Sequence, residues 1–329
     1  MSSNLNSVEI SIIVPCYNEE AGLKLLFERL LGVLDRLSLS YEVICVDDGS
    51  RDKTLDYLID YHRRYPEIKV ISLSRNFGKD IALSAGLENA QGKAVIPIDA
   101  DLQDPPELIE QLIDQWRKGY DVVYGKRRSR QGDSWVKRAT ANAFYRIIGS
   151  ISSVPIPRDT GDFRLLDRRV IEAIKTMPER TRFMKGLFAW VGFKQTYVLY
   201  DRPNRLQGTT KWNYWKLWNF ALDGITSFSL VPLKVWSYLG VVLSFLAFIY
   251  GSFLIIRTII LGIDVPGYAS LMVTILFIGG VQLITLGILG EYLGRIYEET
   301  KQRPLYLIRE RYGFQDEGHS QTLESSNLP

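Results

Sequence analysis

Asp99 and Asp101 stand one residue apart, and the side-chain amide of Gln103 follows two residues on. Residues 94–98 before them are apolar, a buried strand by composition. Carboxylates that directly follow a strand lie at the carboxyl edge of a sheet, where open α/β sheets bind ligands. Two acids with an amide oxygen are a hard-oxygen set for Mg2+ or Mn2+, shared with a substrate's phosphates. A solvated acidic turn is the plain alternative. Beyond them Asp104 reads as a helix N-cap, with Pro105 as the first helical position and Glu107 as the third.

The elements that must position these acids alternate. Residues 9–14 read as a strand closed by Pro15, followed by a helix to residue 37 with Leu23, Leu26, Leu30 and Leu34 on one face. Residues 41–46 read as a strand ending in Asp47-Asp48-Gly49-Ser50, before a helix over 52–65. Residues 69–73 precede Gly78, Lys79 and a helix to Ala90, and further strands fall at 121–125 and 195–200. Such alternation predicts a parallel, doubly wound sheet whose loops converge on one crevice. The first strand-to-helix turn has no Gly-x-Gly-x-x-Gly, and no phosphate loop ends in Gly-Lys-Ser/Thr. What remains there is Tyr17, able to pack on a base, and Asp48, able to accept from a base N–H or ribose hydroxyls. Alternatively Asp47 and Asp48 cap the next helix. The run Lys126-Arg127-Arg128-Ser129-Arg130, with Lys137 and Arg138, is a cationic face or a set of phosphate contacts. Arg202, Arg205 and Gly208-Thr209-Thr210-Lys211 make an anion-binding loop, or an interdomain linker.

The chain has 329 residues, room for one large domain plus an appendage or for two domains, and its net charge of +3 is too small for a nucleic-acid binder. Its two cysteines, Cys16 and Cys45, read as buried free thiols of a reducing compartment. Residues 1–7 lack a signal-peptide pattern. The last third is far more apolar than the rest. Trp215, Trp218, Leu222 and Ile225 share one face of an amphipathic, interfacial helix. Residues 236–256 and 268–289 are each long enough to cross a bilayer. Lys234, Arg295, Lys301, Arg303, Arg309 and Arg311 flank the spans and the connecting turn has no basic residue, which places both ends in the cytoplasm. Gly279, Gly280, Gly287 and Gly290 permit close helix packing.

Val14-Pro15-Cys16-Tyr17-Asn18-Glu19-Glu20, Val46-Asp47-Asp48-Gly49-Ser50 and the stretch from Asp99 to Pro106 resemble the marks of family-two glycosyltransferases with a GT-A fold. Asp159-Thr160-Gly161-Asp162-Phe163-Arg164-Leu165 and the two apolar spans resemble its polyprenyl-phosphate branch, bactoprenol glucosyltransferases above all. Dolichol-phosphate mannose synthases and the aminoarabinose-lipid transferase are near relatives. The resemblance implies an α/β fold: a Rossmann-like GT-A domain over 1–210, an interfacial helix over 211–232, a two-helix transmembrane hairpin over 233–292 and a cytoplasmic segment over 293–329 with a disordered tail. It implies inverting transfer of a hexose from a nucleotide diphosphate, UDP-glucose first, to undecaprenyl or another polyprenyl phosphate at the cytoplasmic membrane, both termini inside. Candidate partners are that donor, that lipid, the membrane and a second copy of the chain, without nucleic acid.

Asp99, Asp101 and Gln103 then hold Mg2+ or Mn2+, and Asp101 and Asp162 are the candidate catalytic residues. Pro15, Tyr17, Asn18, Glu19, Asp48, Gly78, Lys79 and Asp99 form the nucleotide-sugar pocket. Arg127, Arg138, Arg202, Arg205 and Lys211 meet the acceptor phosphate. A phosphate acceptor is already anionic, so Asp162 orients groups rather than abstracting a proton. Phe188-Ala189-Trp190-Val191-Gly192 stands where processive members carry Gln-x-x-Arg-Trp, which argues against polymer synthesis. A mannose or aminoarabinose transferase, or a non-catalytic membrane scaffold, are the competing readings.

Overall fold

The computed structural model describes residues 8–128, 160–177, 179–180, 182, 184–201, 231–261 and 267–314. Outside them lie Arg138, Arg202, Arg205, Lys211, the anion-binding loop, nearly all of the interfacial helix, the turn over 262–266 and the tail from 315.

The first half alternates as expected: β1 (Ile10–Cys16), α1 (Leu23–Leu37), β2 (Tyr41–Asp47), α2 (Thr54–Arg64), β3 (Ile68–Leu73), α3 (Lys79–Asn89) and β4 (Ala94–Pro97). A 3-10 turn, Pro106–Leu108, leads into α4 (Ile109–Arg117). Then come β5 (Val122–Arg127), β6 (Thr160–Asp167), α5 (Arg168–Lys175), α6 (Met184–Trp190), β7 (Gln195–Tyr200), α7 (Val231–Leu261), α8 (Tyr268–Lys301) and β8 (Ile308–Tyr312).

Eight strands among the described residues form one sheet in the order β7-β5-β6-β4-β1-β2-β3-β8. The sheet is mixed, not all parallel: β6 runs against β4 and β5, and β8 runs against β3. Leu23, Leu26, Leu30 and Leu34 of α1 are buried against Ile12, Val14, Val43 and Cys45 on one face. The other face packs Ile13, Ile44 and Val46 under Ala82, Leu83 and Ala85 of α3. Each buried aliphatic side chain contributes about 1.5–3 kcal/mol. A Cβ at Gly86 would lie 2.3 Å from Ile13 Cγ2, so only glycine lets α3 sit this close to β1.

Two cap expectations are corrected. Asp104 is not at the N-cap position: Pro105 occupies that position of the 3-10 turn without a side-chain bond, and Pro106 is its first residue. Glu107 pairs instead with Arg29 of α1 at 2.7 Å. Neither Asp47 nor Asp48 caps α2, which starts at Thr54, where Asp52 accepts from the Thr54 N–H.

At about 1.5 Å per residue, α7 and α8, of 31 and 34 residues, reach roughly 46 and 51 Å, beyond the roughly 30 Å of a bilayer's hydrocarbon. Among the described side chains of both helices many large apolar ones are exposed; Phe248 is 74% and Ile259 78% exposed. Phe277–Lys301 is, among the described residues, a segment long and apolar enough to cross a membrane. The chain then returns to the sheet. Glu299 accepts from the Arg180 N–H at 2.8 and 3.0 Å. Tyr306 donates its hydroxyl to Glu88 of α3, Arg309 donates to the Ser74 carbonyl, and β8 pairs Val70 with Tyr312.

Candidate active site

β4 delivers Asp99 to the carboxyl edge of the sheet. Because β6 runs antiparallel to β4, it starts where β4 ends, so Asp162 arrives beside Asp99 although 63 positions separate them in sequence (162 less 99). The first residue of α3 completes the group. Lys79 Nζ lies 2.7 Å from Asp99 Oδ1 and 2.8 Å from Oδ2, and donates to Asp162 Oδ2 at 2.6 Å. Burial works against the ammonium, but Asp99 and then Asp162 outweigh it and hold the Lys79 pKa well above its usual value.

Lys79 is aimed by the loop before it. Asp48, 3% exposed, accepts from the Phe77 N–H at 2.7 Å and the Gly78 N–H at 2.9 Å. Burial raises the Asp48 pKa, and those two amides work in the opposite direction. Gly78 has φ 104°, a conformation costly for any residue with a Cβ. The expected base or ribose contact of Asp48 thus has competition: both its oxygens already pin the turn into α3.

The opposite wall is laced to the loop between β2 and α2 and to the first residue of α2. Asn18, at φ 52°, donates its N–H to Ser50 and accepts from the Arg51 N–H at 2.8 Å; the Glu19 N–H donates to Thr54. Pro15 and Tyr17 stand half-buried at the end of β1. The predicted pocket residues therefore gather on one sheet edge.

The carboxylate loop turns at Leu102, φ 56°, where Asp101 accepts from the Gln103 N–H at 3.2 Å. Among the described residues no three His, Cys, Asp or Glu side chains converge as a metal site. The chemistry of the donors nonetheless fits a hard cation: Asp99 and Asp162 already clasp an ammonium with three oxygen contacts, and Asp101 and Gln103 follow in the same loop. Substrate phosphates would complete such a shell.

One residue escaped the sequence reading. Tyr200, 4% exposed at the end of β7, donates its hydroxyl to Asp104 Oδ1 at 2.6 Å. Asp104 is 2% exposed, so this is a buried, charge-assisted bond holding the carboxylate loop to the sheet. Arg127 is the register partner of Tyr200 across β5 and β7, and the Tyr200 ring meets Phe163 edge-on at 6.4 Å. An aromatic at a strand end carries no sequence signal for this; only the packing of β7 beside β5 reveals it. Arg127 therefore stands within the wall of the site. Arg164, two residues beyond Asp162, lies over Phe188 at 4.2 Å, and burial pushes its pKa down to about 10.

Comparisons with known proteins agree with this architecture. The family described as Glycosyl transferase family 2 matches residues 11–175, and one described as GtrB C-terminal hairpin matches residues 231–296. An uncharacterized glycosyltransferase of Synechocystis sp. is 66% identical over 94% of this chain and 97% of its own. A prophage bactoprenol glucosyl transferase homolog of Escherichia coli is 48% identical over 92% of this chain and 99% of its own. The bactoprenol glucosyl transferase of Shigella phage SfX is 47% identical over 92% and 100%.

Proposed function

The chain belongs to glycosyl transferase family 2, and from that premise we propose that it moves glucose from UDP-glucose to a polyprenyl phosphate at the cytoplasmic face of a membrane. The geometric observation that carries a cation-assisted transfer is the meeting of Asp99 and Asp162 around one positive charge at the carboxyl edge of the sheet. The choice of sugar and lipid is supported by near-full-length similarity to proteins named bactoprenol glucosyl transferases.

In this reading Asp99, Asp101 and Gln103 hold Mg2+ or Mn2+, which when bound neutralises charge on the departing diphosphate. Pro15, Tyr17, Asn18 and Glu19 line the nucleotide side, and Asp48 and Gly78 fix the turn that presents Lys79. A lipid phosphate oxygen attacks the anomeric carbon as the bond to the diphosphate breaks. The acceptor is already anionic, so Asp162 orients groups rather than taking a proton. Arg138, Arg202, Arg205 and Lys211 offset the repulsion between acceptor and diphosphate, with Arg127 behind them beside Tyr200.

Membrane attachment is supported by the exposed apolar side chains of α7 and α8. Two crossings with both ends on the cytoplasmic side are supported by β8: the chain leaves the sheet before α7 and rejoins it at β3, which an even number of crossings satisfies.

The test is Asp101→Asn assayed with labelled UDP-glucose and polyprenyl phosphate. A neutral amide is a poor ligand for a hard divalent ion, so transfer is expected to vanish with little loss of folding. Full-rate transfer by this variant, or by chelator-treated wild type, overturns the metal assignment. Transfer from another nucleotide sugar alone overturns the choice of glucose.

A further inference from the structure

Lys79 spends its charge on two carboxylates with different expected tasks. Its Nζ contacts both oxygens of Asp99 at 2.7 and 2.8 Å, so its positive charge lies where a metal on Asp99 would place its own. A divalent ion bound at Asp99 would sit close to that ammonium, and the repulsion between the two cations favours the lysine leaving Asp99. The lysine has a route: its side chain is 42% exposed, it hangs on a flexible four-carbon stem from the first turn of α3, and its bond to Asp162 at 2.6 Å offers a pivot. The backbone beneath it stays fixed, because Asp48 pins Phe77 and Gly78.

We propose that Lys79 is a resident counter-cation that the divalent ion displaces from Asp99, so that metal and nucleotide diphosphate load together. This rests on the metal-assisted transfer proposed above. A metal ion arriving alone must break the Lys79–Asp99 pair and leaves an ammonium beside a divalent cation. When the diphosphate arrives as well, its anionic oxygens receive both positive charges. The two ligands are then coupled, and by linkage each strengthens the other equally. The device keeps Asp99 neutralised until the donor is present.

The experiment measures Mn2+ binding to the full chain in detergent by electron paramagnetic resonance, with and without UDP, for wild type, Lys79→Gln and Lys79→Arg. Removing one charge-assisted contact is expected to tighten binding of Mn2+ alone about 10- to 100-fold in Lys79→Gln, and the enhancement by UDP shrinks by a similar factor. Lys79→Arg keeps the cation and behaves as wild type. Equal affinity of Lys79→Gln and wild type for Mn2+ alone overturns the displacement and leaves the metal site standing. No Mn2+ bound by any of the three, with or without UDP, overturns the metal reading and the displacement with it. If Lys79→Gln does not fold, wild type decides: binding at least about tenfold tighter with UDP is expected, and equal affinity with and without UDP overturns the proposal.

Discussion

Tyr200→Phe removes one oxygen and leaves the ring, so it isolates the bond that ties the carboxylate loop to β7. The ring keeps its edge contact with Phe163, centroids 6.4 Å apart at 71°. What disappears is the 2.6 Å bond to Asp104, a carboxylate 2% exposed. A hydrogen bond to a charged group contributes about 1.5–3 kcal/mol. At about 1.4 kcal/mol per decade of rate, its full withdrawal from the site costs about 10- to 150-fold in kcat/KM. The loss is expected in kcat/KM for the nucleotide sugar, with a higher metal concentration needed for half-maximal rate, because Asp104 ends the loop that begins at Asp99. Burial, then Asp104, pushes the Tyr200 pKa up beyond the usual phenol value. Its neutral, donating form is thus fully present below about pH 10, and the bond is lost only above it. The ratio between wild type and variant should therefore be flat from about pH 6 to 9. Steady-state kinetics with labelled donor, metal titration and a thermal midpoint decide the matter. Unchanged kinetics and metal requirement, even with a lower midpoint, would refute the reasoning and reduce Tyr200 to a core residue.

Asp48→Asn places an amide donor against the N–H of Phe77 or Gly78; about 1–3 kcal/mol of stability should go, and donor affinity with it, as Lys79 loses its footing. A variant as stable and active as wild type in melting and transfer assays contradicts that pinning. Arg205→Gln should weaken lipid use by roughly ten- to a thousandfold while UDP-glucose affinity holds, the scale of one or two charge-assisted contacts. Equal losses on donor and lipid would move Arg205 to the donor side. A cysteine replacing Asp264 should react with an impermeant thiol reagent on intact cells, against little background because Cys16 and Cys45 are buried; labelling only after lysis reverses or removes the hairpin.

The alternation from β1 to β4 was legible because apolar runs and turn residues are local signals: Leu23, Leu26, Leu30 and Leu34 announce a buried helical face, and they are buried. β6 is legible only as a motif, since Thr-Gly-Asp-Phe-Arg-Leu-Leu-Asp mixes charge with apolar residues. Its charged members sit where the strand meets the site and α5, which no periodicity records. β8 is hidden in the sequence for a different reason. Ile-Arg-Glu-Arg-Tyr carries its charges as edge strands do, and its partner β3 lies 235 positions earlier (308 less 73). The acids and Lys79 were legible as residue types. Their mutual geometry was not, because the Asp99–Lys79–Asp162 bridge depends on the antiparallel direction of β6.

The return of β8 to β3 sets an order on synthesis. The ribosome releases β1 to β7 first, then two long apolar helices, and only then Ile308–Tyr312. Until that strand arrives, the outer edge of β3 offers its N–H and C=O groups unpaired. On the membrane reading, insertion of α7 and α8 thus precedes closure of the catalytic sheet, and anchoring becomes a step in the domain's own maturation. A chain whose helices fail to insert keeps β8 from its place and carries an open strand edge, the feature by which another chain can pair with it and by which quality-control proteases can tell it from the finished enzyme.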